Sequence, residues 1–158
     1  MAMTMKVDGL DELSAKLSAL EERAGEVGAK ALYKGAGVMA DAYAEAVRNI
    51  KTAPFRYAVF EKRYPSPEEK AAVQGKTGIA HFDSNGSEIN TSVGIKGAGY
   101  ANIAGKSKAV RQIANAINSG TSFMVKQPIF RRAATQTAGK AAAAIAAEAD
   151  RLINELTK

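Results

Sequence analysis

Apolar residues near the start of the chain recur at steps of three and four positions. They are Leu10, Leu13, Leu17 and Leu20. This spacing places side chains on one face of an α-helix, and Asp8 can cap the N-terminal end of that helix. Gly25 and Gly28 lower the helix propensity, so we predict a bend or break there.

A second helical stripe continues to about Ile50. Its expected buried positions are Val27, Leu32, Gly35, Val38, Met39, Ala42, Ala46 and Val47. Small residues occur at Ala31, Gly35, Ala36 and Gly37. Because small side chains let another element approach closely, we expect this face to pack inside the protein.

The spacing changes to alternation in the middle of the chain. In "EINTSVGIK", one side of a strand would carry Ile89, Thr91, Val93 and Ile95, as period-two alternation predicts. The preceding run, "IAHFDSNG", ends in Asn85-Gly86, a dipeptide that favours hairpin turns. The two runs therefore predict an antiparallel pair.

Two helices are predicted after these strands. "SKAVRQIANAINSG" indicates a short helix with Val110, Ile113 and Ile117 on one face and Gly120 as its stop. A long helix then runs from Pro128 to Leu156, because proline is favoured at the first helical position. Its candidate core residues are Ile129, Ala133, Ala141, Ile145, Leu152 and Leu156.

The order of these elements predicts an α+β fold in which long N- and C-terminal helices pack on a small antiparallel β-sheet. The 158 residues suffice for one domain, 1–158. Residues 52–76 interrupt the pattern with prolines that disfavour helix before them, so we predict an extended arm or loop, with Glu68 and Glu69 in solvent. Its aromatic residues are expected to contact a neighbouring molecule; they are Phe55, Tyr57, Phe60 and Tyr64.

The formal charge of +6 is unevenly distributed. Between Glu88 and Glu148 the sequence has no carboxylate side chain but eight lysines and arginines, Lys96, Lys106, Lys108, Arg111, Lys126, Arg131, Arg132 and Lys140. A stretch of one sign is typical of proteins that bind a polyanion or an acidic partner. Alternatively, acids of the N-terminal helix neutralise it across the fold.

Residues that could carry chemistry are few. The chain has no cysteine, which excludes disulfides and thiolate zinc sites. His81 is the one histidine, and only Asp83 lies near it as a possible further metal ligand. The glycines of "GIKGAG" match no phosphate-binding pattern. We therefore predict no catalytic, metal or cofactor site, and a protein that is not an enzyme.

Three segments carry a resemblance to a known family. They are "VDGLDELSAKLSAL" at 7–20, "KTG" at 76–78 and "GTSFMVKQPIFRRA" at 120–133. In this order and spacing the chain resembles the "gp ten"-like family of siphophage tail components, which sit at the head–tail junction. Asn118-Ser119 stand where the family has an aromatic and an acid, which leaves open tail completion, tail terminator and head–tail adaptor.

The resemblance implies a non-enzymatic virion protein of the phage neck or tail. It would form a homo-oligomeric ring, with six copies expected, between the tail tube protein and the head connector or stopper protein. Transient contact with packaged DNA is compatible with this role, and no membrane partner is expected. "MAMTMKVDG" lacks the apolar core of a signal peptide, so we expect host cytoplasm during assembly and the virion afterwards.

The segment from 120 onwards suits the interface of such a ring. Gly120 permits a sharp turn, Phe123 and Met124 offer apolar anchors, and Pro128 stiffens the return into the helix. The expected interface residues are Gly120, Thr121, Phe123, Met124, Pro128, Phe130, Arg131 and Arg132. Phe123 and Ile129 could instead close the core of the monomer. The alternative function is a small basic nucleic-acid-binding or regulatory protein.

Overall fold

Two long helices at the ends of the chain frame the protein. The computed structural model describes residues 10–54, 61–81, 83–84, 88–95 and 99–157. The helices are α1 (Leu10–Arg48), α2 (Pro67–Val73), α3 (Val110–Ser119) and α4 (Ile129–Leu156). The strands are β1 (Thr77–Ile79), β2 (Asp83–Ser84), β3 (Ile89–Asn90), β4 (Val93–Ile95), β5 (Tyr100–Ile103) and β6 (Lys106–Ala109). The α+β prediction is confirmed.

The predicted break in the first helix is wrong. α1 is continuous over 39 residues and passes through Gly25 and Gly28. Each glycine costs about 1 kcal/mol of helix propensity relative to alanine, a cost that tertiary packing offsets here. Gly28 faces the hairpin, where an added Cβ would lie 3.3 Å from Ile89 Cδ1. The cap predicted at Asp8 lies outside the described residues.

α1 and α4 pack against each other in antiparallel directions. Gly35 of α1 faces Ile145 of α4, whereas Tyr43, further along α1, contacts Phe130 near the start of α4 with ring centroids 5.2 Å apart. Of the small residues predicted to permit a close approach, Gly35 does so, and Ala31 and Ala36 are buried. Gly37 does not, because no atom lies within 4 Å of a Cβ added there. On α4 the buried residues are Ala133, Ala141 and Leu152.

The predicted hairpin forms as two short antiparallel ladders. β1 pairs with β4, and β2 pairs with β3 nearer the turn. Asn85-Gly86, predicted to form the turn, lies outside the described residues. A further hairpin, β5–β6, was not expected: residues 106–109 extend as a strand before α3 begins. Its turn has positive φ at both Ala104 and Gly105, the geometry of a tight hairpin turn.

The main core lies at one end of the α1–α4 pair. There α3 packs against α2 and the β5–β6 hairpin. Its buried members are Val47, Ile50, Val73, Ile103, Val110, Ile113, Ala114, Ile117 and Met124. The predicted apolar face of α3 is confirmed, since Val110, Ile113 and Ile117 are all buried. Because α3 is packed in the core, the position at which the following segment begins is fixed.

Residues 61–76 are folded against this core, unlike the extended arm that we predicted for 52–76. α2 begins with a capping box: the Ser66 hydroxyl accepts from Glu69 N–H, and the Glu69 carboxylate accepts from Ser66 N–H. This arrangement satisfies two otherwise unpaired donors. Pro67 is the first residue of α2, a position at which the N–H that proline lacks would have no partner in the helix. Phe55, Tyr57 and Phe60 lie outside the described residues.

Candidate interaction surface

A turn of special geometry follows α3. Gly120 ends the helix with φ 75° and ψ 169°, a region that only glycine occupies readily. A Cβ here would also lie 2.9 Å from Lys126 Cβ. The Thr121 hydroxyl then accepts hydrogen bonds from the N–H groups of Phe123 and Met124, at 3.1 and 3.0 Å. The loop from Gly120 to Lys126 is thus tightly turned and internally bonded.

Adjacent apolar residues of this loop point in opposite directions. Met124 is 5% exposed and belongs to the main core, which corrects its predicted role as an anchor for a neighbouring copy. Phe123 is 73% exposed, and its role at an interface stays a prediction. The alternative that Phe123 closes the monomer core is wrong, whereas Ile129 does pack against that core.

The backbone of Arg63 holds this loop from the other side. Arg63 N–H donates to the Phe123 carbonyl and Val125 N–H donates to the Arg63 carbonyl, both at 2.9 Å. The two segments therefore pair in parallel across Met124. Because the carbonyl of Phe123 is fixed while its ring is exposed, the aromatic side chain is presented by a constrained backbone.

Arg63 is itself fixed by a buried carboxylate, Glu69. The guanidinium donates to both Glu69 oxygens, at 2.6 and 2.7 Å, and Lys108 Nζ lies 3.7 Å away. Only 1% of Glu69 is exposed, so the prediction of a solvated Glu69 is wrong. The reason is that Arg63, Lys108 and the Ser66 N–H interact with the carboxylate and offset the free-energy cost of burying its charge.

The pKa of Glu69 reflects this environment. Burial alone would raise the pKa of its carboxyl, because removal from water disfavours the charged form. The hydrogen bonds from Arg63 and Ser66 N–H, together with the charges of Arg63 and Lys108, outweigh burial and hold the pKa below its usual value. Glu69 therefore remains ionised at neutral pH and keeps Arg63 in place.

Hydrogen bonds to two distant parts of the chain fix the start of α4. Gln127 makes two reciprocal bonds with the backbone of Lys51: its oxygen accepts from the N–H at 3.0 Å, and its amide donates to the carbonyl at 2.9 Å. The Asn118 side chain accepts from Phe130 N–H at 3.3 Å. Pro128 is the N-cap residue, one position before the helix, and the Phe130 ring packs against Tyr43.

Cations gather beside this helix start. Lys126, Arg131 and Arg132 line a cavity of about 540 Å³ together with polar side chains that include Ser119 and Thr135. Arg131 and Arg132 are exposed, as a docking surface requires. Among the residues that the structure describes, no carboxylate lines this cavity. Its chemistry favours an anionic partner.

Of the eight predicted interface residues, the structure therefore leaves a smaller set accessible. Thr121, Phe123, Arg131 and Arg132 are exposed, Gly120, Pro128 and Phe130 are half-buried, and Met124 is buried. Tyr64, predicted as an arm contact, is 40% exposed. His81 is exposed between β1 and β2.

Sequence reasoning missed two residues that fix the loop, Glu69 and Gln127. A signal for Glu69 was present, because Ser66-Pro67-Glu68-Glu69 matches the Ser-x-x-Glu pattern of a capping box. No local signal could reveal Gln127, whose partner Lys51 lies 76 positions away.

Within the described ranges, no three metal-binding side chains come together, and no helix has the length and apolarity needed to cross a bilayer. Comparisons with models of protein families, with curated proteins and with solved structures gave no match to this chain. The geometry of its surface and the resemblance of its three sequence segments therefore carry the functional argument.

Proposed function

We propose that this chain is a structural protein of a phage neck or tail, which assembles as an oligomeric ring between the tail tube and the head connector. The observation that carries the proposal is Phe123, a 73% exposed aromatic ring on a loop that is bonded to the backbone of Arg63 and, within the loop, to Thr121. Lone exposed apolar residues are common in soluble proteins. An exposed aromatic on a constrained backbone is more informative, because little conformational entropy is lost when it docks.

The position of this residue supports the resemblance to siphophage tail components. Phe123 lies within "GTSFMVKQPIFRRA", the segment that resembles the family most closely. In a closed ring each copy presents one patch to a different patch on the next copy. The loop of this preformed anchor leads through Lys126 to a cavity that exposed Arg131 and Arg132 line. Such a combination is suited to the contact, since aromatic and arginine residues dominate the binding energy of interfaces.

Alanine substitution at Phe123 tests the proposal. Phe123→Ala should weaken self-association by roughly 30-fold or more, the loss typical of an interface hot spot. Tyr100→Ala is the matched control, because Tyr100 is also a largely exposed aromatic, at 77%. Native mass spectrometry and negative-stain imaging would measure ring formation, and the yield of infectious particles would measure function in the phage. Equal effects of both substitutions would contradict the proposal.

The cationic cavity favours a second candidate, a basic protein that binds nucleic acid. Lys126, Arg131 and Arg132 would then contact phosphates without reading sequence. DNA binding measured by fluorescence anisotropy should in that case fall steeply as salt increases. A monomer or dimer with this salt dependence supports the second candidate, whereas rings that bind DNA weakly support the first.

A further inference from the structure

The two ends of the α1–α4 pair differ in charge. Six carboxylates lie towards the end of the helix pair at which α4 finishes, and we call Glu21, Glu22, Glu26, Glu148, Asp150 and Glu155 the acidic tip. Glu26 pairs with Lys30, and Glu148 and Glu155 pair with Arg151, which leaves the exposed Glu21 and Glu22 to face a partner. The proximity of the two helices here follows from the cavity that Glu26 and Glu155 line together. At the other end, Lys126, Arg131 and Arg132 form what we call the basic end.

A charge balance makes the contrast quantitative. Residues 15–30 and 148–157 together hold six carboxylates and four cations, a net charge of −2. The whole chain is +6, so the remainder carries +8. Residues 99–140 alone contribute seven cations and no carboxylate. The excess positive charge therefore lies away from the acidic tip.

The acidic tip cannot neutralise the basic end of the same molecule. Along α4, 16 residues separate Arg132 from Glu148, the first carboxylate of the acidic tip on this helix, and they span about 24 Å at 1.5 Å per residue. Physiological salt screens charges over about 8 Å. In the described part of the chain, Lys108 is the one cation of residues 99–140 that forms an ion pair, with Glu69. The acidic tip is therefore too far away to neutralise the basic end. Glu45 of α1, by contrast, lines a cavity together with Lys126 and Arg132, so the alternative that acids of the N-terminal helix neutralise the basic residues stays open.

The acidic tip also carries helix surface that the protein leaves uncovered. The last turn of α4 reaches Arg23 and Val27, so α1 extends past it towards its own N-terminus. Every side chain from Glu21 to Glu26 is exposed, and Leu17 is 58% exposed. Leu17 and Glu21 lie four residues apart and share a helix face. This face combines an apolar residue with a carboxylate, which complements Phe123 and the cations Lys126, Arg131 and Arg132 that line the cavity after its loop.

We infer that the acidic tip of one copy, with Leu17, docks on the basic end and Phe123 of the next copy. This inference rests on the proposed function and identifies both patches of its interface. Opposite charges orient the encounter, while contact between Leu17 and Phe123 removes apolar surface from water. Because the patches lie at opposite ends of one molecule, the contact is head-to-tail and can propagate around a ring.

Charge reversal at each patch tests the docking. Glu21→Lys/Glu22→Lys reverses the acidic tip, and Arg131→Glu/Arg132→Glu reverses the basic end; all four side chains are exposed. In sedimentation velocity on the full chain, each double variant should associate about 100-fold more weakly than the original protein, because like charges then face each other. Lys106→Glu/Lys140→Glu is the control for the basic-end variant, since it makes the same net charge change as Arg131→Glu/Arg132→Glu at other exposed sites and should assemble normally.

An equimolar mixture of the two double variants gives the sharper result. Each reversed tip then meets a reversed basic end, and each natural tip meets a natural basic end, with opposite charges throughout. Only a head-to-tail contact between these patches predicts that two non-assembling variants restore assembly when mixed, in a 1:1 ratio measured by native mass spectrometry. Recovery in the mixture also shows that both variants are folded.

The failures of the two proposals are distinguishable. If the original protein forms rings and either double variant still assembles as well, or the mixture does not recover, this docking is wrong while the ring remains. Loss of assembly in the control would also overturn the docking, because net charge would then be the cause. A protein that stays monomeric at every concentration overturns the docking and the proposed ring together.

Discussion

Gly35 of α1 lies directly against Ile145 of α4. A Cβ at Gly35 would be 2.7 Å from Ile145 Cδ1 and 3.1 Å from the carbonyl oxygen of Ala141. Atoms essentially never approach so closely without a shift, and the carbonyl belongs to the helix backbone. The separation of the two long helices is therefore set by the absence of a side chain at Gly35.

Gly35→Ala should destabilise the protein by about 1–3 kcal/mol, the usual cost of overpacking a close interface. Gly25→Ala is the control, because an added Cβ at Gly25 meets no atom within 4 Å; it should stabilise α1 by about 0.5–1 kcal/mol. Urea denaturation followed by circular dichroism measures both changes. Equal stabilisation by the two substitutions would show that the helices can separate without cost.

Met124 and Phe123 should respond differently to truncation, although they are adjacent. Met124→Ala removes part of the buried core, so the free energy of unfolding should fall by about 2–5 kcal/mol. Phe123→Ala removes an exposed ring and should change the stability of the monomer by less than about 0.5 kcal/mol. Thermal unfolding of dilute protein gives this comparison. A large loss of monomer stability from Phe123→Ala would mean that the ring packs internally.

The Glu69 ion pair should make stability depend on acid pH. Its folded pKa lies below the usual value of 4.5, so the stabilisation is present above about pH 4.5 and is lost as pH falls through the folded pKa. Glu69→Gln removes this contribution and should cost about 3 kcal/mol at pH 7, because Arg63 loses its buried partner. Its deficit relative to the original protein should shrink on acidification.

Glu68→Gln is the matched control for that experiment. Glu68 is the preceding residue of α2 and is exposed, so its neutralisation should change stability by no more than about 0.5 kcal/mol. Denaturation curves at a series of pH values between 3 and 7 would compare the three proteins. The interpretation fails if the difference between Glu69→Gln and the original protein is constant over that range.

The turn after α3 should depend on glycine. Gly120→Ala places a side chain in a backbone region that costs of order 1–3 kcal/mol, and the added atom also meets Lys126. We expect a stability loss of that size and a displaced Phe123, which a hydrogen-exchange measurement would detect as faster exchange at the Phe123 and Met124 amides. Unchanged exchange would show that Thr121 alone maintains the loop.

Local sequence patterns determined the elements whose signals lie within a few residues. The spacing of Val110, Ile113 and Ile117 predicted α3 with Gly120 as its stop, and the alternation around Val93 predicted an antiparallel strand. The helix that starts after Pro128 could also be predicted from the sequence, because proline and the apolar stripe that follows it are local signals. The same locality led to the wrong prediction at Gly25 and Gly28, where distant packing overrides intrinsic propensity.

Tertiary structure alone decided which residues of the loop face inward and which face outward. Phe123 and Met124 are neighbours of similar hydrophobicity, and only the pairing of Arg63 with their backbone assigns one to the core and the other to solvent. The burial of Glu69 likewise depends on cations that the fold brings to it. The separation of the acidic tip from the basic end follows from the antiparallel helix pair. Both groups of charged residues can be found in the sequence. Only the packing of α1 on α4 shows that they lie too far apart to neutralise each other.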